Sequence, residues 1–238
     1  MTAWVVVRAQ QATALGLDLL YPKRCVGCGR FGEVLCAPCE AGLVPALGVG
    51  RCPNCGAAWA GEANCPRCYH WDALDGGFAA FEMEGVARRV VHAVKYRRTR
   101  LLVPPMASAV AALDLGQKID AAFAVPLHPS RLRWRGFNQA DLLLRGLAWS
   151  TTPGRLLRVR KTETQVGAGL AQRRANVGGA FAYRGARLDG LTVAVVDDVI
   201  TTGATVNECA RVLRDHGARS VYAVAYARAS HEPGLPAG

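Results

Sequence analysis

With 238 residues, 51% of them apolar, the chain has material for one ordinary domain plus a small accessory one, which excludes an intrinsically disordered protein. No run approaches the roughly 18 apolar residues of a membrane helix, Arg8 and Asp18 break the only N-terminal candidate, and no signal peptide is legible; a cytoplasmic protein without membrane insertion is expected. The net charge of +11 is uneven, since residues 88 to 174 hold 17 Lys and Arg against 4 Asp and Glu, which suits a phosphorylated small molecule, nucleic acid or an acidic partner, or else the solvated helices of an arginine-rich proteome.

In chain order, residues 1–22 read as a lead-in helix stopped by Pro22. Residues 23–71 carry eight of the nine cysteines as four CxxC pairs: Cys25/Cys28, Cys36/Cys39, Cys52/Cys55 and Cys65/Cys68. Each CxxC turn presents two thiolates to one metal, so the spacing predicts two closed tetrahedral Zn²⁺ sites of four sulfurs, structural rather than catalytic. Disulfides are the weaker reading for a cytoplasmic chain. Sequential pairing of the CxxC turns, giving two stacked ribbons, is favoured over an interleaved cross-brace. His70, just past Cys68, is read as a boundary side chain rather than a ninth ligand.

Beyond the ribbons the pattern predicts a strand between Gly77 and Gly85, a helix over 86–96 with Val86, Val90 and Val94 on one face, and a second helix after Pro104 and Pro105. There follow a strand at 121–127, a helix over 137–149, a strand at 155–159, a polar loop at 160–176, strands at 180–183 and 191–196, a helix over 204–216 carrying Cys209 as a core residue, and a strand at 220–227. Alternating strands and helices imply an α/β domain over 72–228 with a largely parallel sheet, followed by a flexible tail at 229–238.

The stretch "VAVVDDVITTGAT", residues 193–205, places two acids after a buried strand and before a hydroxyl-rich glycine turn. In a parallel sheet, ligands sit at the carboxyl ends of the strands. Thr201, Thr202, Gly203, Ala204 and Thr205 suit a phosphate, with Gly203 allowing close backbone approach and the following helix directing its positive end there. Asp197 and Asp198 suit vicinal ribose hydroxyls, directly or through Mg²⁺. A helix cap alone needs neither two acids nor three threonines.

This stretch resembles the phosphoribosyl pyrophosphate (PRPP) motif of type I phosphoribosyltransferases, and the resemblance implies Asp197 and Asp198 on the ribose and Thr201 to Thr205 around the 5′-phosphate. "LLYPKRCVGCG", "HAVKYRR", "VPLHPSRLRWRGFNQADLL" and "RKTETQVGAGLAQRRANVGGAF" resemble, in this order, blocks of the ComF family, which includes ComFC and GntX. Ala168 and Gly169 depart from the Leu-Ser usual in the last block. The resemblance implies a double zinc ribbon before a type I phosphoribosyltransferase-like domain, PRPP with Mg²⁺ as ligand, and a link to competence and the uptake of transforming DNA.

Phosphoribosyl transfer needs charge stabilisation on the departing pyrophosphate more than a strong base. Lys95 and Arg135, with Asp198, are the favoured catalytic groups, the alternative for Lys95 being a solvated helix cation; Gln165, Arg173 and Asn176 are assigned to a flexible loop. "RLRWRGFNQ" suits either a pyrophosphate loop followed by a helix whose Asn138 and Gln139 reach the site, or single-stranded DNA stacked on Trp134; Trp134 packed under the zinc module is the third reading. Three functions follow: a Mg²⁺-dependent phosphoribosyltransferase with an unidentified acceptor, a PRPP-responsive single-stranded DNA-binding protein, and a nucleobase-salvage or amidophosphoribosyl enzyme. The last lacks a legible base-binding hood, and its only spare cysteine, Cys209, falls in the core.

Overall fold

The computed structural model describes residues 22–48, 50–57, 59–61, 65, 66, 68–147, 149, 153–162 and 175–229. The lead-in helix, Gln165, Arg173 and the tail from 230 fall outside these residues.

Four strands form a wholly parallel sheet: β1 (Gly76–Glu82), β2 (Ala121–Ala124), β5 (Thr192–Ile200) and β6 (Ser220–Arg228), in the order β1-β6-β5-β2. Both faces are covered, so β5 is apolar and buried continuously from Val193 to Val196 rather than in alternation. Against one face pack α2 (Gly85–Arg97), α3 (Val103–Ala111) and α5 (Gln139–Gly146), through Val90, Val94, Val110 and Leu143. The opposite face carries α6 (Ala204–Asp215), which contributes Val206, Cys209, Ala210 and Leu213. Cys209 is thus a core residue.

Two differences from the expected pattern bear on the site. The strands β3 (Gly154–Arg158) and β4 (Phe181–Gly185) leave the main sheet and pair antiparallel with each other. Their ends at Arg158 and Phe181 bracket the polar loop, as the two arms of a hairpin. The helix expected over 137–149 is the shorter α5, and a helix that the pattern did not predict, α4 (Pro129–Arg135), precedes it. Pro129 starts α4, the His128 ring accepts from the Ser130 N–H, and Gly136 closes the helix at φ 82°. The basic run "RLRWR" hides this helix because its apolar stripe is almost absent.

The two ribbons lie on opposite faces of the sheet. The first, with the short helix α1 (Ala37–Ala41), places Val26, Val34, Leu35 and Leu43 against the α2–α3 side. The second belongs to the α6 side, where Cys52, Cys55, Cys65, Cys68 and Trp71 join one core with Val206 and Ala210. Among the described residues no helix is long and apolar enough to cross a membrane.

Candidate functional site

The cysteines assemble as sequential pairs. Cys25, Cys28, Cys36 and Cys39 form one cluster and Cys52, Cys55, Cys65 and Cys68 the other, the sulfurs of each within 4.8 Å of one another. Neighbouring sulfurs stand 3.6 Å apart for Cys28–Cys36 and 3.7 Å apart for both Cys52–Cys68 and Cys55–Cys65. A tetrahedron with Zn–S bonds of about 2.3 Å has edges of about 3.8 Å, so both donor sets fit zinc. Backbone support is local: the Gly27 and Cys36 N–H groups each donate to Cys25 Sγ at 3.4 Å. These are two zinc-binding sites, each of four cysteines. His70 lies outside both.

The second site is at the carboxyl edge of the sheet. From β5 the chain passes to α6 on one face, while from β2 it passes through α4 to α5 on the other; the crevice between these exits is the switch point where open α/β sheets bind ligands. β5 runs through the two acids to Ile200, so Asp197 and Asp198 are strand residues and not, as the pattern predicted, the first residues after one.

The acids have different surroundings. Asp198 is buried and forms a 2.9 Å ion pair with Lys95 Nζ, reaching across from α2. Burial acts to lower the Lys95 pKa, but the charges of Asp198 and Asp197 outweigh it and raise the value. Lys95 is therefore a paired cation at the site and not a solvated one. Asp197 accepts the Asp198 N–H at 2.8 Å, and burial together with the neighbouring Asp198 charge pushes its carboxyl up to about 8. The pair consequently includes one carboxyl, that of Asp197, whose charge a ligand or metal must draw out.

Arg135 is buried within range of both acids; burial lowers its pKa while the Asp198 charge opposes. Arg158, not anticipated from sequence, ends β3, hydrogen-bonds Thr162, lies 5.3 Å over the Phe181 ring and feels the Asp197 charge. Its strand-like neighbours give no sign of this. Asn176 offers its carbonyl to Arg160 at 3.1 Å, close to the loop's exit. Asn138 caps α5 through the Ala140 N–H at 3.2 Å and holds the Val125 carbonyl at 2.9 Å, fixing the loop after β2. Gln139 is buried at the first position of α5. Trp134 is 60% exposed, which rules out packing beneath the zinc module.

The turn after β5 carries Thr201 exposed, Thr202, Gly203 and Ala204 buried, and Thr205 half-buried. Gly203 caps α6 at φ 79°, and the Thr202 hydroxyl accepts from the Ala204 N–H at 3.4 Å. A groove of about 380 Å³ lined by Pro126, Leu132, Asp141 and Arg158 separates the β2 exit from β3.

A double zinc ribbon family model matches residues 16–69, and a phosphoribosyl transferase domain model matches residues 136–236. The chain is thus a double zinc ribbon joined to a type I phosphoribosyltransferase fold. Its similarity to the DNA utilization protein YhgH of Salmonella typhimurium is 34% identity over 193 residues, 73% of this chain and 82% of that one. Competence protein F of Haemophilus influenzae is 40% identical over 116 residues, 46% of this chain and 51% of that one. Orotate phosphoribosyltransferase from Aeropyrum pernix, a solved structure, shows 24% identity and a TM-score of 0.29 over 56% of this chain and 59% of its own. The chain belongs to the ComF family, whose members include these DNA-utilization and competence proteins.

Proposed function

We propose that the protein binds PRPP, or another phosphorylated ribose, with Mg²⁺ at the β5–α6 turn, and that it serves DNA utilization or competence as a phosphoribosyltransferase-like protein. The observation that supports this best is the Lys95–Asp198 pair beside Asp197 and the Thr201–Thr205 turn, which puts acceptors for ribose hydroxyls next to the donors of a helix start. Asp197 and Asp198 are the groups suited to hold the metal, whose charge would offset that of the departing pyrophosphate. Arg135 and Lys95, both in range of the two acids, are the cations assigned to favour that departure, and Arg158 is in range of Asp197. On this reading residues 23–71 form a ribbon module and residues 72–228 the ligand-binding domain, with Gln165, Arg173 and Asn176 assigned to a loop that serves the site. Calorimetric titration of Mg²⁺–PRPP into the zinc-loaded protein should show binding that Asp197→Ala reduces by at least about 100-fold, consistent with loss of a charged hydrogen-bonding group. Unchanged affinity in that variant would remove the site assignment.

A second reading, single-stranded DNA binding, draws on the surface flanking this site. Tyr96 and Trp134 are each 60% exposed, Arg98 donates to the Trp134 carbonyl at 2.5 Å and so ties the ends of α2 and α4 together, and Arg97, Arg100 and Arg133 in these segments are exposed as well. Aromatic rings among arginines suit stacked bases and phosphates. Affinity for an oligothymidylate should then fall steeply with salt, and Trp134→Ala with Arg133→Ala should weaken it without lowering PRPP affinity. Salt-insensitive or absent binding would end this reading.

A further inference from the structure

The second ribbon ends against the turn after β5. His70 Nε2 lies 3.0 Å from the Thr202 carbonyl oxygen, and Trp71 Nε1 donates to the same oxygen at 3.2 Å. Both rings are buried, and His70 makes this contact as the Nε2–H donor. A carbonyl oxygen has two lone pairs, and two ring donors occupy them here.

The consequence lies on the far side of the peptide. The Thr202 carbonyl and the Gly203 N–H belong to one planar trans unit, so they point in opposite directions. Holding the carbonyl toward the ribbon sends the Gly203 N–H toward the open side of the turn. Trp71 also fills the space at Gly203: a β-carbon there would come within 2.2 Å of the indole nitrogen. Glycine is therefore required at this position by the ribbon as well as by its φ of 79°.

The same segment is fastened along α6. Asn207 accepts the Ala73 N–H at 3.2 Å and donates to Asp72 at 2.7 Å, while Arg211 donates to both oxygens of Asp72 at 2.7 Å. Arg214 adds the Ala73 carbonyl at 2.8 Å and Asp75 at 2.6 Å. Residues 70–75 thus bind the turn and the helix behind it as one piece, starting two residues past the zinc ligand Cys68.

We propose that His70 and Trp71 are positioning residues for the anion-binding turn, fixing the Thr202–Gly203 peptide so that its N–H faces the phosphate of the ligand. The zinc held by Cys52, Cys55, Cys65 and Cys68 anchors the two rings, which makes the second ribbon the rear wall of the ligand site. The phosphate in this statement rests on the function proposed above; the orientation of the peptide does not.

The test compares His70→Ala/Trp71→Phe, Trp71→Phe alone and His70→Gln with the unaltered protein. Zinc content, melting temperature, Mg²⁺–PRPP affinity by calorimetry and amide hydrogen exchange over residues 201–206 are all measured. The double variant should keep two zinc ions, lose on the order of 10- to 100-fold in affinity and exchange its turn amides faster, as expected when two hydrogen bonds are removed. His70→Gln, which retains a donor, should recover part of the loss. Wild-type affinity and exchange in the double variant would overturn the proposal. Should the double variant lose zinc, Trp71→Phe alone carries the same comparison, because it keeps an aromatic ring at the position and removes the donor. If the unaltered protein binds no Mg²⁺–PRPP, the phosphate reading fails, and exchange decides the positioning role: faster turn amides in the variants support it, equal rates overturn it.

Discussion

In the second ribbon all four cysteines are buried and the apolar cluster continues through Trp71 into α6; in the first, Cys28 is exposed, Cys39 is half-buried, and the flanking Val26, Val34 and Leu35 are only partly buried where they pack against the α2–α3 side. The two sites share a ligand set, so their metal chemistry is the same. What differs is the continuation of the chain. After Cys39 it runs through Pro45, which bridges to Phe81 at the sheet edge, whereas after Cys68 it meets the candidate ligand turn within three residues. A structural metal acts at a distance only through the segment it anchors, and here the two anchored segments lead to different places.

Substitution of the cysteines separates the ribbons most strongly. Cys55→Ser should release one zinc, abolish cooperative unfolding of the second ribbon and eliminate Mg²⁺–PRPP binding, because structural zinc contributes on the order of 10 kcal/mol to the segment it folds. Cys28→Ser should also release one zinc, yet leave PRPP affinity within about 3-fold, a change of less than ~1 kcal/mol. Zinc analysis with urea titration and calorimetry reads both. Equal loss of affinity in the two variants would mean that the ribbons are not distinct in function.

The next effect concerns the α2 face, which reaches the site through Lys95. Lys95→Met removes the partner of an Asp198 side chain that is only 4% exposed, and should destabilise the protein by about 2–4 kcal/mol in urea unfolding. Adding Asp198→Asn should recover part of that loss, since the remaining group is neutral. No recovery would show that the pair matters for packing rather than charge.

A weaker effect is graded with pH. Asp197 has its pKa raised to about 8 in the free protein, so at neutral pH the carboxyl is largely protonated, while a metal or ribose hydroxyls favour the carboxylate. Affinity for Mg²⁺–PRPP should therefore climb as pH rises, by up to about tenfold per unit, and level off above pH ~8. Asp197→Asn should flatten the profile. A flat profile in the unaltered protein would place the metal elsewhere.

The features legible in the sequence are those with short-range causes. The CxxC spacings point to the two zinc sites because each ligand pair is local, and the apolar run ahead of Asp197 points to β5 because a strand covered on both faces is continuously hydrophobic. The turn chemistry of Thr201 to Thr205 is readable for the same reason. The roles of His70, Trp71 and Arg158 are not, since their partners at Thr202 and Asp197 lie far away in the chain and are set by how the ribbon and the hairpin pack. A Trp directly after a CxxC turn and a glycine in a threonine-rich turn each have ordinary explanations separately. Only the fold shows that they occupy the same space.

If the turn after β5 is a phosphate site built between a paired acid and a zinc-anchored wall, a crystal structure of the zinc-loaded protein with Mg²⁺–PRPP will display all three parts at once. The 5′-phosphate should lie within hydrogen-bond distance of the Gly203 N–H and its neighbours, the ribose hydroxyls or the metal on Asp197 and Asp198, and the Thr202 carbonyl should still be held by His70 and Trp71. A ligand bound elsewhere, or a Thr202–Gly203 peptide that turns its N–H away from the phosphate, would contradict this.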